Sequence, residues 1–453
     1  MNDFNSYDYL VLSPQNLNYE LLLNEEAVHE NIPKSIIGTV IKLLALNMQF
    51  PKNHKLSTFD YKVSLCAKKL HYLYGNDYTR AIDLLMSKFL FRYPYSENNC
   101  FNYALNDVTR AFKLEVHKLE TKSAKGRGIV QRLRETNKIL PKVIERKFQF
   151  MIKFFDSKLL NIDLYSSLKL IEKEYDFSID YSNYLSQFQK IINIHNGSYS
   201  FHYNPETDGR FHNSFTFLNK KFRKFLTYDD KKLVEVDIVN SIPTIFSLLL
   251  SKSINLNIKE VLNNNIYNYL LMFNKISRNV DIKEIELFKN MSVNGELYEK
   301  VSSKFIKKNI GYLIDQYDGY YDGENLIFTE EFDVRKITKQ NLLSMLFSKN
   351  ETYVDMELAF ENIFPTIFRF IKELKEVQDY KMFSHLLFQI ESEIILEQVA
   401  RPFNRLNGGR VPIFTIHDCI FTVEGKENIL KDFMEDRFVK LFGTKIGLKV
   451  KKF

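Results

Sequence analysis

The strongest constraint on the fold is the alternation of apolar and charged side chains from Lys232 to Ile238. Val234, Val236 and Ile238 fall on one face of an extended chain, and Glu235 and Asp237 fall on the other. The pattern predicts a half-buried strand with Asp237 near its end. The pair Asn240–Ser241 then precedes Pro243 and an apolar run, which predicts a capped helix.

Two further segments have clear local patterns. The β-rich runs 412–416 and 419–424 flank the pair His417 and Asp418, which predicts a hairpin with Asp418 at its tip. Residues 333–348 have a helical pattern. Antiparallel strands and helices in one chain predict an α+β fold.

The N-terminal part has a different texture. Residues 1–195 are predicted to be mostly helical, as in 35–46 and 143–155, and the turn-prone stretch 196–198 suggests a domain boundary. Residues 113–147 carry 11 Lys and Arg against 4 Glu. This run is either a solvated helix surface or a contact with a phosphate backbone. The candidate contacts in it are Lys125 and Arg127.

Composition narrows the classes of protein. A length of 453 residues suits roughly three domains, and the net charge of +7 permits a nucleic-acid partner without requiring one. Three scattered cysteines suit neither a disulfide framework nor a cysteine zinc site, and they favour a reducing compartment. The N-terminal residues do not resemble a signal peptide, and no apolar stretch approaches the ~20 residues of a membrane span, so we expect a cytoplasmic protein with no membrane partner.

Asp237 and Asp418 each lie at the end of a β segment. Two such carboxylates are what a pair of Mg²⁺ ions needs, although aspartate is also common at strand ends because it bonds to the local backbone. Between them, Arg335, Lys339, Leu343 and Phe347 recur every four residues and share one helix face. Such a face suits a nucleoside triphosphate, but it also suits a solvated edge beside a core leucine and phenylalanine.

In order and spacing, these segments resemble motifs A, B and C of the single-subunit polymerases, the group of the DNA polymerase I-like family A enzymes and the bacteriophage-type RNA polymerases. Motif A contains Asp237, motif B runs from Arg335 to Phe347, and motif C contains Ile416, His417 and Asp418. The Gly209-Arg210 pair is similar to the element that precedes motif A. The resemblance covers residues ~200–450 and implies a right-hand polymerase with an antiparallel-sheet palm and helical fingers.

The resemblance also implies site residues. Asp237 and Asp418 would hold two Mg²⁺ ions, with Mn²⁺ as a substitute, and Lys339 would assist catalysis. Nucleotide binding would fall to the motif B face and Ile242. Nucleic acid would contact Arg210, Arg223, Gln389 and His417, together with the two basic residues of the 113–147 run.

Two departures from the family pattern bear on the sugar. The family's Tyr in motif B is Phe347 here, and the family A Glu after motif A is Ile242. A bulky side chain at 242 and the lack of a hydroxyl at 347 favour deoxynucleotides. Phosphate-loop, HExxH and GxSxG motifs are absent from the sequence, which argues against ATPases, metalloproteases and hydrolases.

The sequence therefore predicts a template-dependent nucleotidyltransferase that acts on a nucleic-acid primer-template and nucleoside triphosphates. A family A-type DNA polymerase without a proofreading exonuclease is favoured, since no acidic cluster precedes the palm. The alternatives are an RNA polymerase or primase-like enzyme of the same fold, and a non-catalytic nucleic-acid-binding protein with a decayed polymerase fold. The predicted domains are an N-terminal domain (1–195), two palm parts (196–250 and 351–453) and the fingers (251–350).

Overall fold

The computed structural model describes most of the chain from residue 113 onward and shorter stretches before it. The described residues are 8–14, 63–79, 82–83, 86, 90–93, 101–105, 113–119, 124–136, 140–176, 179, 181–256, 260, 262–305, 320–321, 326–327 and 333–453. The helix predicted over 35–46 lies outside them. Among the described helices, none has both the length and the apolar composition that crossing a bilayer requires.

The described residues contain both helices and strands. The strands are β1 (Leu10–Pro14), β2 (Val63–Leu65), β3 (Leu90–Arg92), β4 (Phe101–Leu105), β5 (Leu114–Lys118), β6 (Leu160–Ile162), β7 (Phe201–Tyr203), β8 (Phe211–Asn213), β9 (Leu226–Tyr228), β10 (Lys231–Ile238), β11 (Tyr320–Tyr321), β12 (Leu326–Ile327), β13 (Phe414–Ile416), β14 (Cys419–Val423) and β15 (Leu448–Lys452). The helices are α1 (Ala67–Tyr74), α2 (Ala124–Thr136), α3 (Lys142–Ile152), α4 (Leu164–Glu174), α5 (Tyr181–His195), α6 (Ser214–Phe217), α7 (Ser241–Leu250), α8 (Asn264–Ile276), α9 (Ile282–Asn294), α10 (Val334–Phe347), α11 (Val354–Glu361), α12 (Pro365–Val377), α13 (Lys381–Glu393), α14 (Arg401–Leu406) and α15 (Glu427–Phe442). This is a mixed α+β chain, as predicted.

The chain forms two compact units that interleave in sequence. The first comprises Met1–Phe201, Asn213–Leu233 and Phe453, and the second comprises His202–His212 and Val234–Lys452. The predicted turn near residue 196 is present, and Gly197 there adopts a positive φ of 70°, which glycine tolerates at low cost. The division of the C-terminal half into palm and fingers stays a prediction.

The first unit combines helices with short antiparallel strands, so a mostly helical description of it is incomplete. β1 pairs with β5, β4 lies between β2 and β3, and β6 pairs with β9. The strands before β6 are three to five residues long, which is too short for an alternating pattern to be recognised in the sequence. The predicted helix over 143–155 is α3, which ends at Ile152.

The second unit is built around β10. The predicted hairpin is present and consists of β13 and β14. Strand β14 lies next to β10 in the sheet, and β15 pairs antiparallel with β10 from Val234 to Ile238. The predicted apolar helix is α7, whose ten residues are all buried, and it packs against α9 and α13. Phe246 of α7 centres an aromatic core that also contains Phe273, Phe288, Phe370 and Phe383.

Two local predictions need correction. The strand is not half-buried over its length, because Leu233 to Val236 are buried on both faces, and Glu235 is only 4% exposed. The cap of α7 is also different from the predicted one. Asn240 precedes the helix with a left-handed φ of 52° and makes no side-chain capping hydrogen bond. Asparagine tolerates this conformation better than most residues, so its backbone, rather than its side chain, turns the chain into α7.

Candidate active site

The hairpin between β13 and β14 fixes the position of Asp418. Ile416 pairs with Cys419, so that His417 and Asp418 form a two-residue turn, and His417 has a positive φ of 51°. Such turns favour a left-handed conformation because it matches the twist of the flanking strands. Asp418 is therefore held at the end of a sheet.

β10 brings Asp237 to the same place. The amide of Ile238, the next residue, donates a hydrogen bond of 3.4 Å to the carbonyl oxygen of Asp418. Burial raises the pKa of the Asp418 carboxyl well above its usual range, and the carboxylates of Glu391 and Asp237 raise it further. The ammonium of Lys339 acts in the opposite direction. The structure thus brings Asp237 and Lys339 each within electrostatic reach of Asp418.

This concentration of negative charge fits a divalent cation. Glu235, Asp237 and Asp418, which we call the acid edge, lie at adjoining positions of β10 and the hairpin turn. Burial raises the pKa of Asp418 most, and repulsion from the carboxylates of Glu391 and Asp237 raises it further, which a bound cation would relieve. Carboxylate oxygens are also the ligands that Mg²⁺ prefers. Asp237 and Asp418 therefore have suitable chemistry for the predicted magnesium pair, which stays a prediction.

A third carboxylate near Asp418 is held in a different way. Glu391, on α13, is 1% exposed. Its Oε2 accepts a hydrogen bond of 3.0 Å from Nε of Arg210 and another from the same guanidinium, and its Oε1 accepts one of 2.7 Å from the hydroxyl of Ser241. Both oxygens of Glu391 are thus occupied by side chains of the second unit, and Arg210 is committed to this ion pair.

The loop before Arg210 is fixed to α13 by its backbone. The side-chain amide of Gln389 donates hydrogen bonds of 3.0 Å and 2.9 Å to the carbonyls of Pro205 and Thr207. The hydroxyl of Ser392 donates to the carbonyl of Gly209, whose φ is 62°. The donors of Gln389 thus hold this loop in the structure, and contacts of Gln389 and Arg210 with nucleic acid stay predictions.

The motif B face lies on α10, where the helix was predicted. Its positions change along the helix from exposed, at Arg335 and Lys339, to half-buried, at Leu343 and Phe347. Arg335 forms an ion pair with Glu299. A nucleotide that used this guanidinium would have to compete with Glu299, and nucleotide binding by this face stays a prediction.

Two aromatic contacts connect α10 with the neighbouring groups. Phe347 packs edge-on against Phe388 of α13, with ring centroids 5.0 Å apart, and the guanidinium of Arg210 lies 3.9 Å from the centroid of Phe388. At the other end of the helix, Arg335 lies over the ring of Tyr298. Burial raises the pKa of Tyr298. The charge of Arg335 acts to lower this pKa, and the charge of Asp418 acts to raise it. These contacts pack the two ends of α10 against Phe388 and Tyr298.

A buried lysine secures the C-terminal end of α10. Lys375, on α12, is 7% exposed, and its Nζ donates a hydrogen bond of 2.6 Å to the carbonyl of Met345. Burial lowers the pKa of this lysine to about 8, although Glu357 acts to raise it. A cation at the end of a helix also complements the helix dipole.

Two further predicted residues of the second unit have defined surroundings. Ile242 is 8% exposed within α7. His417 packs its ring against that of His212, with centroids 5.6 Å apart, and His212 bonds to Asp208 at 2.8 Å. A role for Ile242 in sugar choice and one for His417 in nucleic-acid binding stay predictions.

The remaining predicted residues belong to the first unit. Lys125 and Arg127 lie on α2, and Arg127 is exposed. Arg223 is half-buried in the 3₁₀ segment Lys220–Phe225. Contacts of these three residues with nucleic acid stay predictions.

Comparison with known proteins gives weak structural likeness and no family. No family model matches the chain, and no curated protein matches it. Among solved structures, the POL domain of Pol1 from M. smegmatis, in complex with DNA primer-template and dNTP, is similar at 12% identity with a TM-score of 0.32. The match covers 71% of this chain and 63% of that domain, so the chain spans less than two thirds of its length. This is a weak likeness to a polymerase fold.

Sequence reasoning missed three participants in this region. Glu391 was not singled out, Ser241 was named only as part of a helix cap, and Glu235 was treated only as a marker of one strand face. A signal for Glu391 was present, because Leu387, Phe388 and Ile394 lie three or four residues from it and make its helix face otherwise apolar. An acid in such a position needs a buried partner. No comparable signal identifies Arg210 as that partner.

Proposed function

We propose that the chain is a template-dependent nucleotidyltransferase, and specifically a DNA polymerase of family A type without a proofreading exonuclease. The observation that carries the proposal is the position of Asp237 beside Asp418, with Lys339 within electrostatic reach. An acidic pair next to a helix that presents cations suits phosphoryl transfer, in which catalysis consists largely of positioning and charge stabilisation.

In this mechanism Asp237 and Asp418 would hold two Mg²⁺ ions. When bound, these ions would make the primer 3′-hydroxyl more acidic and offset charge on the phosphates. The hydroxyl oxygen attacks the α-phosphorus of the nucleotide, the bond to the bridging oxygen of the pyrophosphate breaks, and the hydroxyl proton passes to solvent. Lys339 neutralises charge on the departing pyrophosphate, and Arg335 binds the triphosphate after it exchanges Glu299 for a phosphate.

The α10 face and α13 would supply the remaining contacts. Phe347, held edge-on by Phe388, offers an aromatic surface near the sugar and base. The choice of deoxynucleotides follows from the residue types at 242 and 347, where a bulky apolar side chain and a ring without a hydroxyl replace the family's residues. Base pairing with the template selects the nucleotide.

Primer extension tests the proposal. Wild type, Asp237→Ala, Asp418→Ala and Asp436→Ala should be compared on a primed DNA template with Mg²⁺, with dNTPs and NTPs in separate reactions. Asp436 is an exposed aspartate on α15 and serves as the matched control. Each acid-edge variant is expected to lose about a thousandfold in rate, or about 4 kcal/mol of transition-state stabilisation, whereas Asp436→Ala retains activity.

The outcomes separate the alternatives. Extension with NTPs alone would favour the RNA polymerase or primase-like enzyme. Wild-type protein that binds primer-template but extends it with neither nucleotide set would favour a decayed, non-catalytic fold. Equal activity of wild type and Asp418→Ala would show that the acid edge is not the catalytic site.

A further inference from the structure

A second set of donors adjoins Asp418 on the side of β14. Glu235 and Asp237 lie two residues apart on the same face of β10, and Cys419 is the first residue of β14. One carboxylate oxygen from each acid and the sulfur of Cys419 all lie within 4.8 Å of one another. Three potential metal ligands therefore converge on one point of the sheet.

Glu235 gives an independent indication that something binds there. It is 4% exposed, and its Oε2 accepts no hydrogen bond from any residue that the structure describes. A buried carboxylate oxygen without a partner is costly, because it has lost its hydration without a replacement. Its partner is therefore expected to be a group other than those residues.

The donor types indicate which cation would fit. Two oxygens and a thiolate suit a borderline ion such as Zn²⁺, whereas Mg²⁺ takes oxygen ligands almost exclusively. Lys449 and Lys451 pair with Asp237 and Glu235 across the ladder between β10 and β15, which puts two positive charges on the same edge. The positive charges of these lysines repel a cation and would weaken its binding by carboxylates alone. The bond between the cation and the sulfur of Cys419 therefore contributes more to its affinity.

We propose that Glu235, Asp237 and Cys419 form a mixed carboxylate–thiolate site that binds a thiophilic divalent cation such as Zn²⁺ in preference to Mg²⁺. Ligand bonds of about 2.0–2.3 Å require the donors to approach one another by on the order of 1 Å. The thiol of Cys419, which donates a hydrogen bond of 3.1 Å to the carbonyl of Ile416, releases its proton to solvent when its sulfur bonds to the ion. The site contains one cysteine, far in sequence from the two acids, so a search for paired-cysteine motifs such as CxxC does not find it.

Sharing of Asp237 gives the site a functional consequence. An ion held by Glu235 and Cys419 would occupy a carboxylate that the proposed polymerase reaction needs, so Zn²⁺ should inhibit extension in Mg²⁺. This consequence rests on the proposed function. Binding of the ion does not, because it requires only the three side chains.

Cobalt titration of the full chain tests the binding. Co²⁺ is the probe, because a thiolate ligand gives it a charge-transfer absorption band in the near ultraviolet. Cys66→Ser/Cys100→Ser is the matched control, since it leaves Cys419 as the only cysteine of the three. We expect wild type and this control to bind one Co²⁺ per chain and to show the band, and Cys419→Ser to show no band. Zn²⁺ should displace the bound Co²⁺, whereas the same concentration of Mg²⁺ should not.

Glu235→Gln provides a second variant that keeps the thiol. Loss of even an indirect partner of a metal ligand commonly weakens binding by about 10-fold to 100-fold, so this substitution should weaken Co²⁺ binding at least about tenfold. Circular dichroism establishes that each variant is folded. Folded wild type without the band, a band that survives in Cys419→Ser, or equal affinity of Glu235→Gln and wild type would each overturn the site.

The two proposals fail separately. Extension in Mg²⁺ without any added Co²⁺ or Zn²⁺ tests the polymerase. A wild-type chain with the cobalt band but no extension would keep the metal site and remove the proposed function. A chain that extends a primer but gives no band would do the reverse.

Discussion

Two acidic centres lie close together in the second unit, and their surroundings are opposite. Glu391 is deeply buried, but a guanidinium and a hydroxyl occupy its two oxygens. On the acid edge, burial and then neighbouring carboxylates raise the pKa of Asp418, and Glu235 keeps an oxygen for which the described residues provide no donor. The comparison teaches that burial alone does not mark a functional acid. An acid that is already satisfied stabilises the fold, whereas one that is not is suited to bind a ligand.

The largest effect on stability is expected from breaking the satisfied centre. Arg210→Met should lower the free energy of unfolding by about 3–5 kcal/mol, because it leaves the Glu391 carboxylate buried without a counter-charge. Urea denaturation measures the change. The double variant Arg210→Met/Glu391→Leu is the control and should recover most of the loss, since it removes both charges. A single-variant cost below about 1 kcal/mol, typical of surface ion pairs, would contradict this interpretation.

Lys375 extends the comparison to a buried cation, and its effect depends on pH. Burial lowers its pKa from an ordinary 10.5 to about 8. Between these pH values the unfolded chain binds a proton that the folded chain does not, so the stability of wild type should rise with pH across this window. Relative to Lys375→Met, the rise should total up to about 3 kcal/mol. Thermal or urea unfolding of both proteins from pH 7 to pH 10.5 measures it, and parallel curves would contradict the shift.

Ser241→Ala sharpens the comparison with a smaller change. The hydroxyl of Ser241 donates to a carboxylate, so its removal should cost about 1.5–2 kcal/mol. Ser247→Ala is the matched control on the same helix. Its hydroxyl donates at the same distance of 2.7 Å to the neutral carbonyl of Thr244, which predicts a cost of about 1 kcal/mol or less. Equal costs in urea denaturation would mean that the charge of Glu391 adds nothing.

The last expected effect has the opposite sign. Asp418→Asn should stabilise the fold, because it removes a charge that its neighbours disfavour. The raised pKa of Asp418 means that the folded chain holds its proton to higher pH than the unfolded chain, so wild type loses stability as pH rises through that pKa. The advantage of Asp418→Asn over wild type should therefore grow with pH before it levels off. A destabilised variant at neutral pH would show that Asp418 stabilises the fold.

Local patterns in the sequence predicted the elements that carry the site. The alternation that defines β10, the hairpin around His417 and Asp418, and the helical stretch that becomes α10 all depend on near neighbours in the chain, and the structure contains each of them. The short strands of the first unit were missed, because three to five residues do not define a period.

What could not be predicted depends on pairings between distant residues. Alternation assigned Glu235 to a face of β10 but could not show that this side chain would be buried in the folded chain. The sequence around Arg210 does not show whether its side chain contacts nucleic acid or Glu391. The hydrogen bond to Glu391 is visible only in the folded chain. The difference between the two acidic centres, a guanidinium beside Glu391 and carboxylates near Asp418, is likewise a property of the fold.

The interleaving of the two units affects how the protein can be divided or recombined. The chain passes from one unit to the other between residues 201 and 202, between 212 and 213, between 233 and 234, and between 452 and 453. A single crossover between two related genes would therefore leave at least one unit with segments of mixed parentage. We expect the basic run of the first unit and the acid edge of the second to be inherited together, and designs that exchange one unit will have to replace several segments at once.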